Sequence, residues 1–153
     1  MKLGKLMQTD NDCTITIARV MLGLVMFPHG AQKMLGWCGG HGFSNTMNMF
    51  TQGMGVPALF AFLAIVAEFF GSIGLIVGLF SRIAAAGIAS VMLVATLMVH
   101  RSNGFFMNWM GNQKGEGYEY HILAIALCIV IMCKGSGSYS LDPIVAKKLK
   151  LKK

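Results

Sequence analysis

The stretch Ala58–Phe80, ALFAFLAIVAEFFGSIGLIVGLF, decides how the whole chain is read. It carries a single charge, Glu68, close to its middle. Crossing the ~30 Å hydrocarbon core of a bilayer takes about 20 mostly apolar residues in a helix. No period-two alternation persists, so a strand is set aside. The segment therefore reads as a membrane-spanning helix running from about Pro57 to Phe80. Gly71, Gly74 and Gly78 lie near one face of it. Small residues at such spacing let helix backbones approach closely in lipid. Tight packing inside one bundle is the expected use, and a homodimer seam is the alternative.

Three further apolar runs flank it. Downstream, Arg82–His100 reads RIAAAGIASVMLVATLMVH. The Ser81-Arg82 junction leaves room only for a tight antiparallel hairpin. Upstream, Thr14–Leu35 contains IARVMLGLVMF, and near the end Tyr118–Lys134 contains HILAIALCIVIMC. The expected fold class is an all-α membrane protein, a bundle of four transmembrane helices. The connections 36–56 and 101–117 are rich in apolar and aromatic residues, among them Trp37, Phe43, Phe105, Phe106 and Trp109. Such residues favour the headgroup level, so short interfacial segments are expected in both loops.

Composition agrees. Of the 153 residues, 55% are hydrophobic and 12% charged, about half the charge share of a soluble domain. The net charge of +7 does not point to nucleic acid. Five of the basic residues sit in the last seven positions, Lys147 to Lys153, where a polybasic tail suits an anionic membrane surface. Residues 1–142 are expected to form the bundle and 143–153 a basic cytoplasmic tail, either a short amphipathic helix or a disordered segment. Cys13, Cys38, Cys128 and Cys133 form no paired motif and predict no disulfide framework. The first apolar run lacks a cleavage site, and is expected to stay uncleaved.

Charge also sets orientation. Lys2, Lys5, Arg82, Lys134 and the five tail lysines lie at one end of the spans; Lys33, Arg101 and Lys114 lie at the other. The positive-inside rule puts both termini in the cytoplasm of a multi-pass protein. In a bacterium with two membranes this is the inner (plasma) membrane, and both loops are extracytoplasmic.

A charge at mid-span costs about 2.5–3.5 kcal/mol on insertion scales, so the intramembrane charges demand a reason. Glu68 is halfway through its span. Arg19 is about one turn into the first one, and an Arg19–Glu68 ion pair fixing helix register is the structural expectation. The functional alternative makes Glu68 a proton-exchanging carboxyl. A second set gathers where helix ends meet: His29, Gln32 and Lys33 on one face of the first span, His100 and Arg101 ending the third, and Glu119 and His121 opening the fourth. Trp37 follows in the adjoining loop. Interfacial anchoring is one reading of this layer. A pocket for a small anionic or quinone-like ligand is another. A metal site of His29, His41, His100 and His121 with Cys38 is the weakest, because Cys38-x-x-His41 lacks a second pair.

The short motifs resemble one family. Arg19-Val20-Met21-Leu22-Gly23 and His29-Gly30-Ala31-Gln32-Lys33-Met34-Leu35-Gly36-Trp37 open and close the first span. Glu68-Phe69-Phe70-Gly71-Ser72-Ile73-Gly74-Leu75 leads to Gly78-Leu79-Phe80-Ser81-Arg82, with Ser72 where the pattern has a second glycine. Gly117-Tyr118-Glu119-Tyr120 opens the fourth span, and Gly135-Ser136-Gly137-Ser138-Tyr139-Ser140-Leu141-Asp142 comes after it. In this order they resemble the DoxX family of small four-helix membrane proteins. The resemblance implies membrane redox chemistry, since related proteins include a subunit of thiosulfate:quinone oxidoreductase and others linked to soluble redox enzymes.

On that basis the expected function is a membrane component of a redox system passing electrons from a small sulfur or thiol donor to quinone. Glu68, His29, Lys33 and Glu119 would do the chemistry; His100, Arg101, His121, Gln32 and Trp37 would bind the ligand. No haem, nucleotide or iron–sulfur motif is present in the sequence, so electrons would come through quinone, a cysteine or a partner's cofactor. Two alternatives stand beside it: a non-enzymatic anchor for soluble redox enzymes, and a small binder or transporter of an apolar ligand. Beyond the bilayer and soluble redox enzymes, a homo-oligomer is the remaining partner expectation.

Overall fold

The computed structural model describes residues 3–150, and every regular element in it is helical. Lys2, Lys152 and Lys153 of the basic count lie outside the described residues. Helix α1 (Leu3–Leu6) leads to α2 (Cys13–Leu35), α3 (Gly42–Asn48), α4 (Ala58–Val77), α5 (Ser81–Ala95), α6 (Glu119–Lys134) and α7 (Asp142–Lys148). A π-helical turn, Thr96–His100, and a 3-10 turn, Arg101–Asn103, extend α5. Among the described residues, three helical segments are long and apolar enough to cross a membrane: Cys13–Leu35, Ala58–Val77 and Ser81–Asn103. Helix α6 has 16 residues and packs against α5 and α2. The outward faces carry large apolar side chains such as Ile17, Leu59, Phe70, Leu93 and Leu123, as a lipid-facing surface requires.

The helix ends follow local rules. Asp12 caps α2 by accepting the Thr14 N–H at 2.7 Å, and that bond holds its carboxyl below the usual carboxylate range. Helix α4 stops at Gly78, whose φ of 72° suits a residue without Cβ. Phe80 comes next at φ 50° and α5 starts at Ser81, which gives the expected hairpin. The small residues of this hairpin pack within the chain: Gly71 faces Ile88 of α5, and Gly87 faces Ala67 of α4.

The α2–α4 contact sets the register. A Cβ on Gly30 would stand 2.6 Å from the Phe69 backbone, and one on Gly23 would stand 2.8 Å from the Ile76 side chain. The helices are antiparallel, so with Gly30 opposite Phe69 and Gly23 opposite Ile76, the position level with Glu68 is Ala31. Arg19 lies twelve residues before it, about 18 Å along the axis. The expected Arg19–Glu68 pair is therefore not formed. Glu68 pairs with Lys33, and Arg19 faces the far end of α4.

Arg19 is fully buried there. Its guanidinium donates to Leu75 O, to Ile76 O at 2.8 Å, to Ser136 O at 2.7 Å and to Tyr139 O at 3.3 Å. Leu75 and Ile76 belong to the last turn of α4, whose carbonyls have no partner inside the helix. Asp142, also fully buried, accepts the Phe80 N–H at 2.6 Å and the Ser81 N–H at 3.3 Å, together with the Ser136 hydroxyl. Those amides open α5. The segment 135–142 thus stitches the end of α4 to the start of α5 and both to α2. Its glycines are required: a Cβ on Gly137, at φ 72°, would stand 2.7 Å from Asp12 O. Arg82 completes this end by donating to Met132 O of α6 and to Gln8 O.

Two loop expectations resolve differently. Segment 36–56 contains α3 and a π turn, Met49–Gly53. Segment 101–117 contains only the Arg101–Asn103 turn, because its side chains claim the backbone instead. Asn108 Nδ2 donates to Gln113 O, and the Gln113 N–H donates back to Asn108 Oδ1. Glu116 Oε2 accepts the Asn108 N–H. Such bonds compete with helix formation. Residues 143–148 of the basic tail are helical, in a helix that starts at Asp142.

The buried network predicts a stability effect. Arg19→Met leaves four carbonyls unpartnered and the Asp142 carboxylate uncompensated, and should cost about 3–5 kcal/mol. Arg19 and Asp142 share Ser136, so Arg19→Met and Asp142→Asn should couple by about 1–3 kcal/mol in a double-mutant cycle of unfolding in detergent micelles. Additive effects would show that the two side chains act separately.

Candidate functional site

At the opposite end, a polar layer is built on the same helix contact. Pro28, inside α2, cannot donate a backbone hydrogen bond to Leu24 O. Gly30 then brings the α2 backbone against Phe69 and Glu68. This close approach lets Lys33 reach across. Its Nζ lies 2.5 Å from Glu68 Oε2 and 3.5 Å from His29 O. The Lys33 side chain is 24% exposed and that of Glu68 4%. Glu68 is the eleventh of the 20 residues of α4, so the pair stands at about half the depth of a crossing helix. Removing one partner from a buried pair costs about 3–5 kcal/mol, so the two charges hold each other in place.

Helix α6 supplies the other wall. Tyr120 lies between His29, with ring centroids 6.2 Å apart, and His121, at 5.5 Å. Its hydroxyl donates to Met26 Sδ at 3.2 Å, a weak acceptor for a phenol. His121 is buried, and its Nδ1 has no hydrogen-bond partner. The His100 ring sits against it, centroids 4.1 Å apart. His100 closes the π turn Thr96–His100. A π turn inserts one residue into the helix and rotates the later side chains about its axis; such turns are frequent at functional sites. The His100 Nδ1–H donates to Glu116 O at 2.8 Å.

Of the residues singled out from sequence, Glu68, Lys33 and His29 come together, and His100 and His121 adjoin them through Tyr120. The others have different places. Glu119 Oε2 accepts the Met107 N–H at 3.1 Å and so pins the 101–117 loop. Gln32 donates to Cys38 O at 3.2 Å and steadies the start of the 36–56 loop. Trp37 and Arg101 are exposed. Cys38 and His41 are exposed too, and among the described residues no three His, Cys, Asp or Glu side chains are placed to hold a metal ion.

Tyr120 was missed. The signal was present: it precedes the buried Ala124 and Cys128 by four and eight residues, which puts it on the inward face of α6. Ser136 was missed as a partner of Arg19, and Asp142 as the acceptor of the Ser136 hydroxyl, although both lie in a motif that carries the family resemblance.

The geometry can be set beside known proteins. A family model described as DoxX matches residues 14–101, which carry Arg19, His29, Lys33, Glu68, His100 and Arg101. "Inner membrane protein YqjF" of Escherichia coli (strain K12) is 24% identical over 142 residues, covering 93% of this chain and 99% of that protein. "Putative oxidoreductase CatD" of Bacillus subtilis (strain 168) is 28% identical over 131 residues, covering 86% of each. No solved structure matches significantly. With more than half of its length matched by the family model, the chain belongs to the DoxX family of membrane proteins.

Proposed function

We propose that this chain is the membrane-embedded component of a quinone-linked redox system, with the Lys33–Glu68 layer as its ligand site. The observation that carries the reading is a buried carboxylate paired with half-buried Lys33 at mid-depth, beside two under-used hydrogen-bonding groups. Buried polar groups are nearly always partnered. Here His121 Nδ1 has no partner, and the Tyr120 hydroxyl has only a thioether. These groups fit a headgroup that offers carbonyl oxygens. A quinone, when bound, supplies a two-electron, two-proton redox couple. The chain's own residues would bind and orient it: Tyr120 and His121 as donors, Lys33 as a fixed positive charge, Glu68 as the carboxyl that holds or yields a proton. A small sulfur or thiol compound, acting through a partner's cofactor, is the electron donor in this reading. The name of the Bacillus relative, an oxidoreductase, supports the redox class.

The topology that serves this reading has four crossings. Helix α6 crosses with α2, α4 and α5, its ends extended by Tyr118 and Gly135. Both termini are cytoplasmic, in the inner membrane, and the 36–56 and 101–117 loops are extracytoplasmic. Exposed Cys38 lies in one of those loops, while exposed Cys13 and Cys133 lie at the other end. A membrane-impermeant maleimide should label Cys38 from outside intact spheroplasts, and Cys13 and Cys133 in inverted vesicles. The reverse pattern would invert the assignment.

A second reading, an anchor for soluble redox enzymes, draws on the 101–117 loop, where Trp109 is 82% exposed and Met110 85%. Calorimetric titration of the purified protein with a short-chain quinone separates the two. Lys33→Ala and Tyr120→Phe should each weaken binding about tenfold to a hundredfold, equivalent to ~1.4–2.7 kcal/mol, while Arg101→Ala should leave it unchanged. An absence of binding, or equal binding by all variants, would favour the anchor.

A further inference from the structure

Helix α7 hangs from the α4–α5 hairpin. The Leu141 N–H donates to Val77 O at 3.3 Å and the Asp142 N–H to Gly78 O at 2.9 Å. Asp142 is fully buried, yet Ile144, two residues on, is 63% exposed. At about 100° per residue, Leu141, Ile144, Val145 and Lys148 share one side of α7. Pro143, Ala146 and Lys147 share the other, which lines a groove with Met7 and Gln8. The first side is left uncovered: Leu141 and Ile144 are exposed, and so are Val77 and Phe80 where α7 is attached. The apolar outer surface of α4 thus runs on to α7 without a break. Leu149 follows, also exposed. The charges here are one-sided. Asp10 lies 3.8 Å from Lys134, Asp12 caps α2, and Asp142 is buried. Among the described residues, no carboxylate pairs with Lys5, Lys147, Lys148 or Lys150, all of them exposed.

We infer that α7 lies in the plane of the tail-side leaflet, with Leu141 and Ile144 in the acyl boundary and its lysines on the headgroups of anionic phospholipid. Two exposed apolar side chains bury too little area to hold a helix on a membrane, so the electrostatic attraction decides the binding. Lys148 rises from the apolar side and reaches the headgroups by its long stem. Tyr139, just upstream, is exposed while its carbonyl accepts from Arg19, and a tyrosine at this level suits the headgroup boundary. Continuity with the lipid-facing surface of α4 favours lipid over a soluble partner. The excess of positive charge opposes a second copy of the same surface. Because Asp142 opens α7 and accepts from Phe80, Ser81 and Ser136, a seated α7 also steadies the α4–α5 junction. The inference depends on the chain spanning a membrane and not on the redox reading, so a failure to bind quinone would leave it standing.

The test is amide hydrogen exchange of the full chain, read by mass spectrometry, in vesicles of phosphatidylcholine alone and of phosphatidylcholine with phosphatidylglycerol. Both leaflets have the same composition, so the orientation of the chain does not matter. Exchange in the 143–150 segment should be at least ~10-fold slower in the anionic vesicles. Salt at 1 M should remove most of that gain, because it shortens the screening length to about 3 Å. Lys147→Gln, Lys148→Gln and Lys150→Gln together should remove it at low salt, with exchange in α4 and α5 reporting that the variant is folded. If the variant does not fold, the salt series on the unaltered chain decides. Equal exchange in the two kinds of vesicle would overturn the inference. Protection that follows the protein-to-lipid ratio and not the lipid charge would assign the surface to a second copy, and would overturn it as well.

Discussion

The close approach of α2 and α4 through glycine is the constraint on which the rest depends. Gly23 and Gly30 are seven residues apart, about two helical turns. Both let the α2 backbone lie against α4 where a side chain would collide. That contact fixes the antiparallel register. With the register set, Lys33 can reach Glu68, and Arg19 cannot. A single packing decision thus places one half-buried cation at mid-depth and a fully buried one at the end of α4. Neither charge is tolerated by polarity alone. Each is held by specific partners that the register delivers.

The two ends then serve different tasks. At the tail end, Arg19 and Asp142 answer the backbone groups that helix ends leave open: carbonyls at the close of α4, amides at the start of α5. The bonds of that network run mainly to backbone groups of the chain itself, although Ser81 Oγ and Arg82 Nε beside it are buried without a partner. At the loop end, Lys33 and Glu68 answer each other, but Tyr120 and His121 keep capacity in reserve. Between the ends lies an apolar layer.

Much of this was legible in the sequence. The span lengths gave the helical class, and the resemblance gave the family, because both depend on local runs of residues. The layer of His29, Lys33, His100 and His121 was legible because antiparallel threading brings helix ends together. The partner of Glu68 was not. Choosing between Arg19 and Lys33 requires knowing where two helices cross, and that is set by the shape of Gly30 and Gly23, not by charge. Tyr120 escaped notice because an aromatic in an apolar run usually means packing. Asp142 escaped because the amides it accepts from, Phe80 and Ser81, lie more than sixty residues away in the chain. The bond of Glu119 to Met107 was not legible, because it depends on how the 101–117 loop folds back.

The central claim is that the Lys33–Glu68 layer holds a ligand in the membrane. Native mass spectrometry of the protein released gently from its own membrane tests it most directly. The account predicts one quinone-sized adduct per chain, present in the native protein and absent from Glu68→Gln prepared the same way. A bare chain, or one carrying only a soluble partner protein, would contradict it and leave the buried pair as a structural element of the bundle.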